Sequence, residues 1–184
     1  MNVETGKIIH VDSRGYCLIA HSGGTYRAGC RRDWSREQAL AHWGGPGYPN
    51  LERGAGFVAA IERDEEISEL PEELECLFLG GGLLPAGVAL PEGLRELSLG
   101  GGTLPEGVVL PKGLLVLSLG GGTLPEGTVL PEGPLALYLD GGTLPKGVVL
   151  PKGLLRLYLG GGLLPAGVAL PEGVVLPKLV TLYR

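Results

Sequence analysis

The sequence predicts a mainly β protein: a five-coil β-solenoid over the C-terminal two thirds, preceded by a small α+β module. Three observations carry this reading. Paired leucines recur at Leu77/Leu79, Leu97/Leu99, Leu117/Leu119, Leu137/Leu139 and Leu157/Leu159, every twenty residues without a slip. Each unit also carries a glycine run and the dipeptide Leu-Pro twice, a mixture that neither a helix nor an uninterrupted sheet accommodates. Finally, Leu79–Gly93 is repeated residue for residue at Leu159–Gly173, as expected of duplicated units.

The N-terminal module is predicted over residues 1–66 and the solenoid over 67–184. Residues 7–30 alternate short β-prone runs with turn residues: KIIHV, DSRG, YCLIA, HSGG, TYRAGC. A three-stranded meander is the economical reading. Ser35 followed by Gln38 is a capping box that opens a helix, and Gly44 after Trp43 stops it. PGYPN is a loop. Asn50 caps a second helix reaching to about Glu65, with Leu51, Val58 and Ile61 on one face and Gly54 and Gly56 weakening it. The first coil of a solenoid exposes a strand edge. The module, with the acidic stretch ERDEEISELPEELE, is expected to cover it.

Within a coil, LLVLSL (residues 114–119) alternates like a strand. GGG turns the chain, TLPEG is a short extended piece with a turn, and VVLPKG returns to the next strand. A twenty-residue period is too short for helix–turn–helix units of ~34 residues. Glycine supplies positive φ at the corners, and proline fixes φ where no ladder bond is needed. Stacking places Leu84, Leu104, Leu124, Leu144 and Leu164 in one interior column. Leu90, Leu110, Leu130, Leu150 and Leu170 form another. One coil alone cannot bury these side chains, whereas stacked coils can. Asp140 replaces the first glycine of its run, so that position accepts a side chain. After EGVVLPK the repeat changes and the chain ends on a strand-like LVTLY without a separate cap.

LLVLSLGGGTL (Leu114–Leu124) resembles the leucine-rich-repeat consensus LxxLxLxxNxL, through Leu114, Leu117, Leu119, Gly122 and Leu124. The twenty-residue length followed by Leu-Pro resembles the short bacterial and phage-type leucine-rich repeats. The glycine- and proline-rich phrasing also resembles FNIP-type repeats. The resemblance covers about residues 70–184. One departure stands out. The asparagine of the consensus is replaced by Gly82, Gly102, Gly122, Gly142 and Gly162, so no asparagine ladder forms. A leucine-rich-repeat arc and a straighter β-solenoid both remain open. GTYRAGCRRDWSREQALAHW resembles a small module, of unassigned function, found ahead of repeats in bacterial and phage proteins. The function expected of the chain is a non-enzymatic protein-binding solenoid, used as an interaction or scaffold module and supported by an exposed strand face, with a mobile-element-borne inhibitor that blocks a host protein as a narrower alternative.

Composition narrows the function classes. The chain has 184 residues, 44% hydrophobic and 19% charged, which argues against disorder. No apolar run approaches the ~20 residues of a membrane span. The N-terminus lacks a basic then apolar leader, so the expected location is the cytoplasm. Cys17, Cys30 and Cys76 are sparse and odd in number, and read as free thiols. Residues 1–64 hold eight Lys/Arg against seven Asp/Glu, net +1, and residues 65–184 hold seven against thirteen, net −6. The overall charge of −5 disfavours nucleic acid as a general partner.

Catalytic and metal chemistry find little support. The glycine runs lack the Lys-Ser/Thr and the helix start of a phosphate loop. His10, Cys17, His21, Cys30 and His42 share the module, but their spacings match no paired metal-ligand motif. A Cys–His nucleophile pair has no identifiable base, orienter and oxyanion donor. The chain is therefore read as a non-enzyme without cofactor. The remaining signal is a surface. Between the paired leucines, Phe78, Ser98, Ser118, Tyr138 and Tyr158 point away from the core, and Tyr183 does so in the last strand. Flanking them are Arg95, Leu115, Val116, Leu135, Leu155 and Arg156. Phe78, Tyr138, Arg156, Tyr158 and Tyr183 are the predicted partner-binding residues, for a protein partner or for a second copy met through the C-terminal end. The alternative patch is the basic cluster Arg27, Arg31, Arg32 and Arg36, which would meet an acidic partner or nucleic acid, or dock on residues 62–75.

Overall fold

A computed structural model describes residues 6–28, 33–161, 164–170 and 172. Four strands, β1 (Lys7–Val11), β2 (Cys17–Ala20), β3 (Thr25–Ala28) and β4 (Trp34–Ser35), form an antiparallel sheet in sequence order. The meander thus has four strands instead of the expected three. Trp34 and Ser35 pair with Tyr26 and Thr25 before the chain enters the helix. Helix α1 (Arg36–Trp43) opens with the predicted capping box: Gln38 N–H donates to Ser35 Oγ at 3.3 Å, and Ser35 N–H donates to Gln38 Oε1 at 3.0 Å. Gly44 ends it, its N–H bonded to the Leu40 carbonyl.

Helix α2 (Leu51–Arg63) is capped by Asn50, whose Oδ1 accepts from Arg53 N–H at 3.0 Å. Asp64 ends it in the left-handed region, just before the expected Glu65. Its buried face is Gly54, Phe57, Ala60 and Ile61, not the predicted Leu51–Val58–Ile61 line. Leu51 is 71% exposed. Gly54 sets this rotation, because a Cβ there would overlap the Trp43 carbonyl oxygen at the end of α1. The glycine costs helix propensity but lets the two helices touch.

The second sheet is parallel, in the order β5 (Cys76–Phe78), β6 (Glu96–Ser98), β7 (Val116–Ser118), β8 (Leu135–Tyr138) and β9 (Leu154–Tyr158). Leu77, Leu97, Leu117, Leu137 and Leu157 are ladder neighbours, as the twenty-residue period predicts. The five strands bound four full turns of a β-solenoid among the described residues. Part of the predicted fifth coil (residues 162–163, 171 and 173 onward), and the terminal strand with Tyr183, lie outside the described residues. A second line of single bridges, Leu83–Thr103–Thr123–Thr143, holds the coils just beyond the glycine corner.

Each coil turns three times. In the third coil the glycine corner closes with Gly122 N–H on the Leu119 carbonyl, and Gly120 and Gly121 have φ of 53° and 88°. A Pro125–Thr128 turn follows, with Gly127 at φ 76°, as a type II turn requires. The third turn leads into the next strand, as Pro111–Leu114 does in the preceding coil. The last glycine of the run in the second, third and fourth coils is closed in by the neighbouring coil. A Cβ at Gly102, Gly122 or Gly142 would overlap the carbonyl oxygen of the glycine one coil earlier. Backbone from the neighbouring coil occupies the space an asparagine side chain would need.

The fourth coil departs from the period. Pro134 stands where the others have an inward leucine, and it is exposed. Leu135, predicted to flank the outer face, is instead fully buried and pairs with Leu154 across a register shift. A one-residue slip exchanges inside for outside, so Leu135 takes the interior place that proline left.

The antiparallel sheet is buried on both faces. Ile9, Leu18, Ala20 and Tyr26 pack with Trp43, Phe57 and Ile61 under the helices. Ile8, Val11, Cys17 and Ile19 pack with the solenoid leucines in one continuous core that extends to Leu157. The predicted covering of the first edge takes a definite form. Phe78 N–H donates to the Gly15 carbonyl at 2.7 Å, and Leu83 N–H to the Gly6 carbonyl at 3.2 Å.

Candidate partner-binding surfaces

The outer strand face carries most of the predicted site. Tyr138 and Tyr158 are ladder neighbours with ring centroids 6.1 Å apart. Tyr158 is 39% exposed, Arg156 is exposed beside it, and Leu155 is 57% exposed. Leu115 adds a further exposed apolar side chain, whereas Arg95 lies across the coils and donates from Nη1 to the Gly113 carbonyl at 3.0 Å. Ser98 and Ser118 are half-buried small residues between the aromatic ends.

Phe78 belongs to a different arrangement. Its ring stacks on Tyr16 at 5.0 Å, and the Arg53 guanidinium lies 4.7 Å from the Tyr16 centroid. Arg53 Nε donates to the buried Asp12 carboxylate, whose other oxygen accepts the N–H groups of Arg14 and Tyr16. This relay joins the first coil, the β1–β2 turn and α2, so one face of Phe78 is already occupied. Tyr183 lies outside the described residues.

The basic cluster is not one patch. Arg27 is half-buried and donates from Nε to Asp33 Oδ1 at 2.8 Å, with Nη2 3.2 Å from His21 Nε2. It therefore pairs locally rather than docking on residues 62–75. Arg36 is exposed at the start of α1, and Arg31 and Arg32 lie outside the described residues.

The cysteines and histidines point to different places. Cys17 is in the core facing the solenoid, where burial first and Asp12 second push its thiol pKa up. Burial, then Glu96 and Glu75, also raise the Cys76 thiol. His10 sits edge-on to Phe57, and burial lowers its pKa against the opposing pull of Asp12. His21 faces Asp33 at 3.3 Å. His42 packs on Trp34, with ring centroids 4.1 Å apart. Cys30 is outside the described residues. Among the described residues, no three His, Cys, Asp or Glu side chains gather as a metal site, and no helix is long and apolar enough to cross a membrane.

A second surface escaped the sequence reading. In the return segment of each coil the middle residue faces solvent: Val109, Val129 and Val149 are 77–79% exposed. Val108 and Leu110 on either side turn inward, so the signal was the in–out–in alternation of VVL. Adjacent coils are hydrogen-bonded at the strands but separate at these segments. An apolar groove of about 530 Å³ opens there between the second and third coils, and similar, smaller ones lie between other pairs.

No protein-family model, curated protein or solved structure matches this chain.

Proposed function

We propose that the protein is a non-enzymatic binding module whose strand face recognises a protein partner. The observation that carries this reading is the grouping of Tyr138, Tyr158, Leu155 and Arg156 on one outward sheet surface. Tyrosine and arginine supply large contact area and dominate interface hot spots, and an exposed apolar strand face of this kind marks an interaction site. The solenoid serves as a rigid rack: the leucine ladders beneath hold the outer side chains in register without needing a partner to order them. In this reading the repeat keeps the leucine pattern of a leucine-rich repeat and closes its corner with backbone in place of an asparagine ladder.

The test is site-specific photo-crosslinking in the native cell. A photoreactive phenylalanine analogue replaces Tyr158 in one variant and Leu51, a remote exposed residue, in another. A discrete crosslinked protein is expected from position 158 only, and Tyr138→Ala in the same chain should reduce it at least tenfold. Equal crosslinking from both positions, or none from position 158, refutes the strand face as the binding surface.

A further inference from the structure

The valine ridge is flanked by charges whose order along the stack is informative. Val109 stands between two β-turns, Pro105–Val108 and Pro111–Leu114, and its counterparts recur every twenty residues. The exposed tips of those turns carry residues 106 and 112 and their equivalents. One flank reads Glu106, Glu126, Lys146, Ala166 from coil to coil, and the other reads Lys112, Glu132, Lys152, Glu172. The groove between the second and third coils is rimmed by Lys112, Glu132 and Glu126.

Stacking within one chain accounts for the second flank, where neighbouring coils alternate in sign. It does not account for the first, where Glu106 and Glu126 are like-charged neighbours. Pairing with a second copy gives Glu126 a lysine to face and keeps the alternation of the second flank, while Glu106 then meets the partner's Ala166. We infer that the valine ridge is the interface of a symmetric homodimer. Its two-fold axis lies in the interface, across the ridge, midway between the third and fourth coils. The copies then run antiparallel. Val129 opposes the partner's Val149, Glu126 opposes the partner's Lys146, and Glu132 opposes the partner's Lys152. Two-fold symmetry repeats each pair, and Lys112 meets the partner's Glu172.

Other registers match fewer opposite charges or bring like charges together. With the axis on the third coil, Glu126 and Glu132 each face themselves. With the axis on the fourth coil, Lys146 and Lys152 do. A shift of a whole coil toward the N-terminus pairs Lys112 with the partner's Glu132 and Glu92 with the partner's Lys152 but sets Glu106 against the partner's Glu126, and the opposite shift leaves Lys152 with the partner's Glu172 as the one charged pair among the described residues. A parallel arrangement brings Glu126 against the partner's Glu132. Rim charges of this kind select register and partner more than they add affinity. The apolar ridge supplies the burial, since exposed contiguous apolar surface favours association. The dimer uses none of the strand-face residues, so it goes beyond the binding reading above and stands or falls separately.

Sedimentation equilibrium of the full chain at micromolar concentration tests the inference. The wild type is expected to be a dimer that weakens as salt is added, because the rim pairs are exposed and screened. Glu126→Lys with Glu132→Lys gives a chain with Lys at both flanks of both central coils, and Lys146→Glu with Lys152→Glu gives the acidic counterpart. Each alone should be monomeric with an unchanged circular dichroism spectrum. Mixed in equal amounts they should form a heterodimer, which a loss of folding cannot produce. Val129→Asp, at a position already solvent-exposed in the monomer, should abolish association in the otherwise native chain. A monomeric wild type overturns the inference. So does a dimer that survives Val129→Asp, or a pair of charge variants that remain monomeric on mixing.

Discussion

Gly121 and Gly122 are adjacent but irreplaceable for different reasons. Gly121 has φ 88°, a left-handed conformation that costs other L-residues about 1–2 kcal/mol and β-branched ones more. The space around its missing Cβ is nearly open. Gly122 has no unusual φ, but a Cβ there would overlap the Gly102 carbonyl oxygen and crowd that of Leu119. Gly122→Ala must therefore separate two coils, while Gly121→Ala strains one residue. Urea denaturation should rank Gly122→Ala as the more destabilising, with Gly121→Val losing about 2 kcal/mol or more. Equal midpoints for Gly121→Val and wild type would refute the assigned turn. Asp140 at φ 46° in the first place of its run is the natural control: that position tolerates a side chain because Asp visits the left-handed region more readily than most residues. The thiols make a parallel case. Cys17 is buried with its pKa raised, and thiolate is the reacting form. Alkylation followed by mass spectrometry should leave Cys17 unmodified in the native protein and label it only on unfolding.

At the scale of elements, the twenty-residue unit was legible because its signals agree: alternation for the strand, glycine and proline at the corners, leucine in the columns. What was not legible depended on a neighbour that the sequence does not display. Trp34–Ser35 became a strand because Tyr26 was beside it. Helix α2 turned a different face inward because Gly54 could approach Trp43. The exposed valines went unnoticed because hydrophobicity alone does not say on which side of a coil a residue stands. Leu135 is the clearest failure, since reading the fourth coil in phase with the others puts it outside. If Pro134 causes the slip, its removal should restore the phase. Leu135→Asp alone should be severely destabilising, because it buries an unpaired carboxylate. In a Pro134→Leu background the same change should cost far less, since residue 135 would then occupy the solvent-facing place that Leu115 holds in the previous coil. A thermal-melt cycle over the four variants measures this. Additive effects would show that the slip does not depend on proline.

At the scale of the whole molecule, the decisive feature is that one apolar core runs from Ile8 and Ile19 in the antiparallel sheet to Leu157 in the last described strand. Solenoids are stabilised by nearest-neighbour contacts and can fray from an unprotected end. Here the first coil is joined to the sheet by backbone bonds at Gly15 and Gly6 and by the Phe78–Tyr16–Arg53 stack. The sheet in turn is held from behind by Trp43 and Phe57. Losing the sheet exposes the leucines of the first coil, and losing the first coil exposes one face of the sheet. The two parts should therefore unfold together. The chain offers a direct probe, because both tryptophans, Trp34 and Trp43, lie in the N-terminal part. Their fluorescence reports that part alone, whereas far-ultraviolet circular dichroism reports chiefly the repeats. Coincident transitions are the signature of a single cooperative unit. Ile19→Ala and Leu117→Ala remove buried methyl groups on opposite sides of the junction, each at a cost of about 2–5 kcal/mol. Both substitutions should move both signals to the same lower urea concentration. If Leu117→Ala shifts the dichroism transition while the tryptophan transition stays in place, the solenoid unfolds independently and the N-terminal sheet is only docked on it.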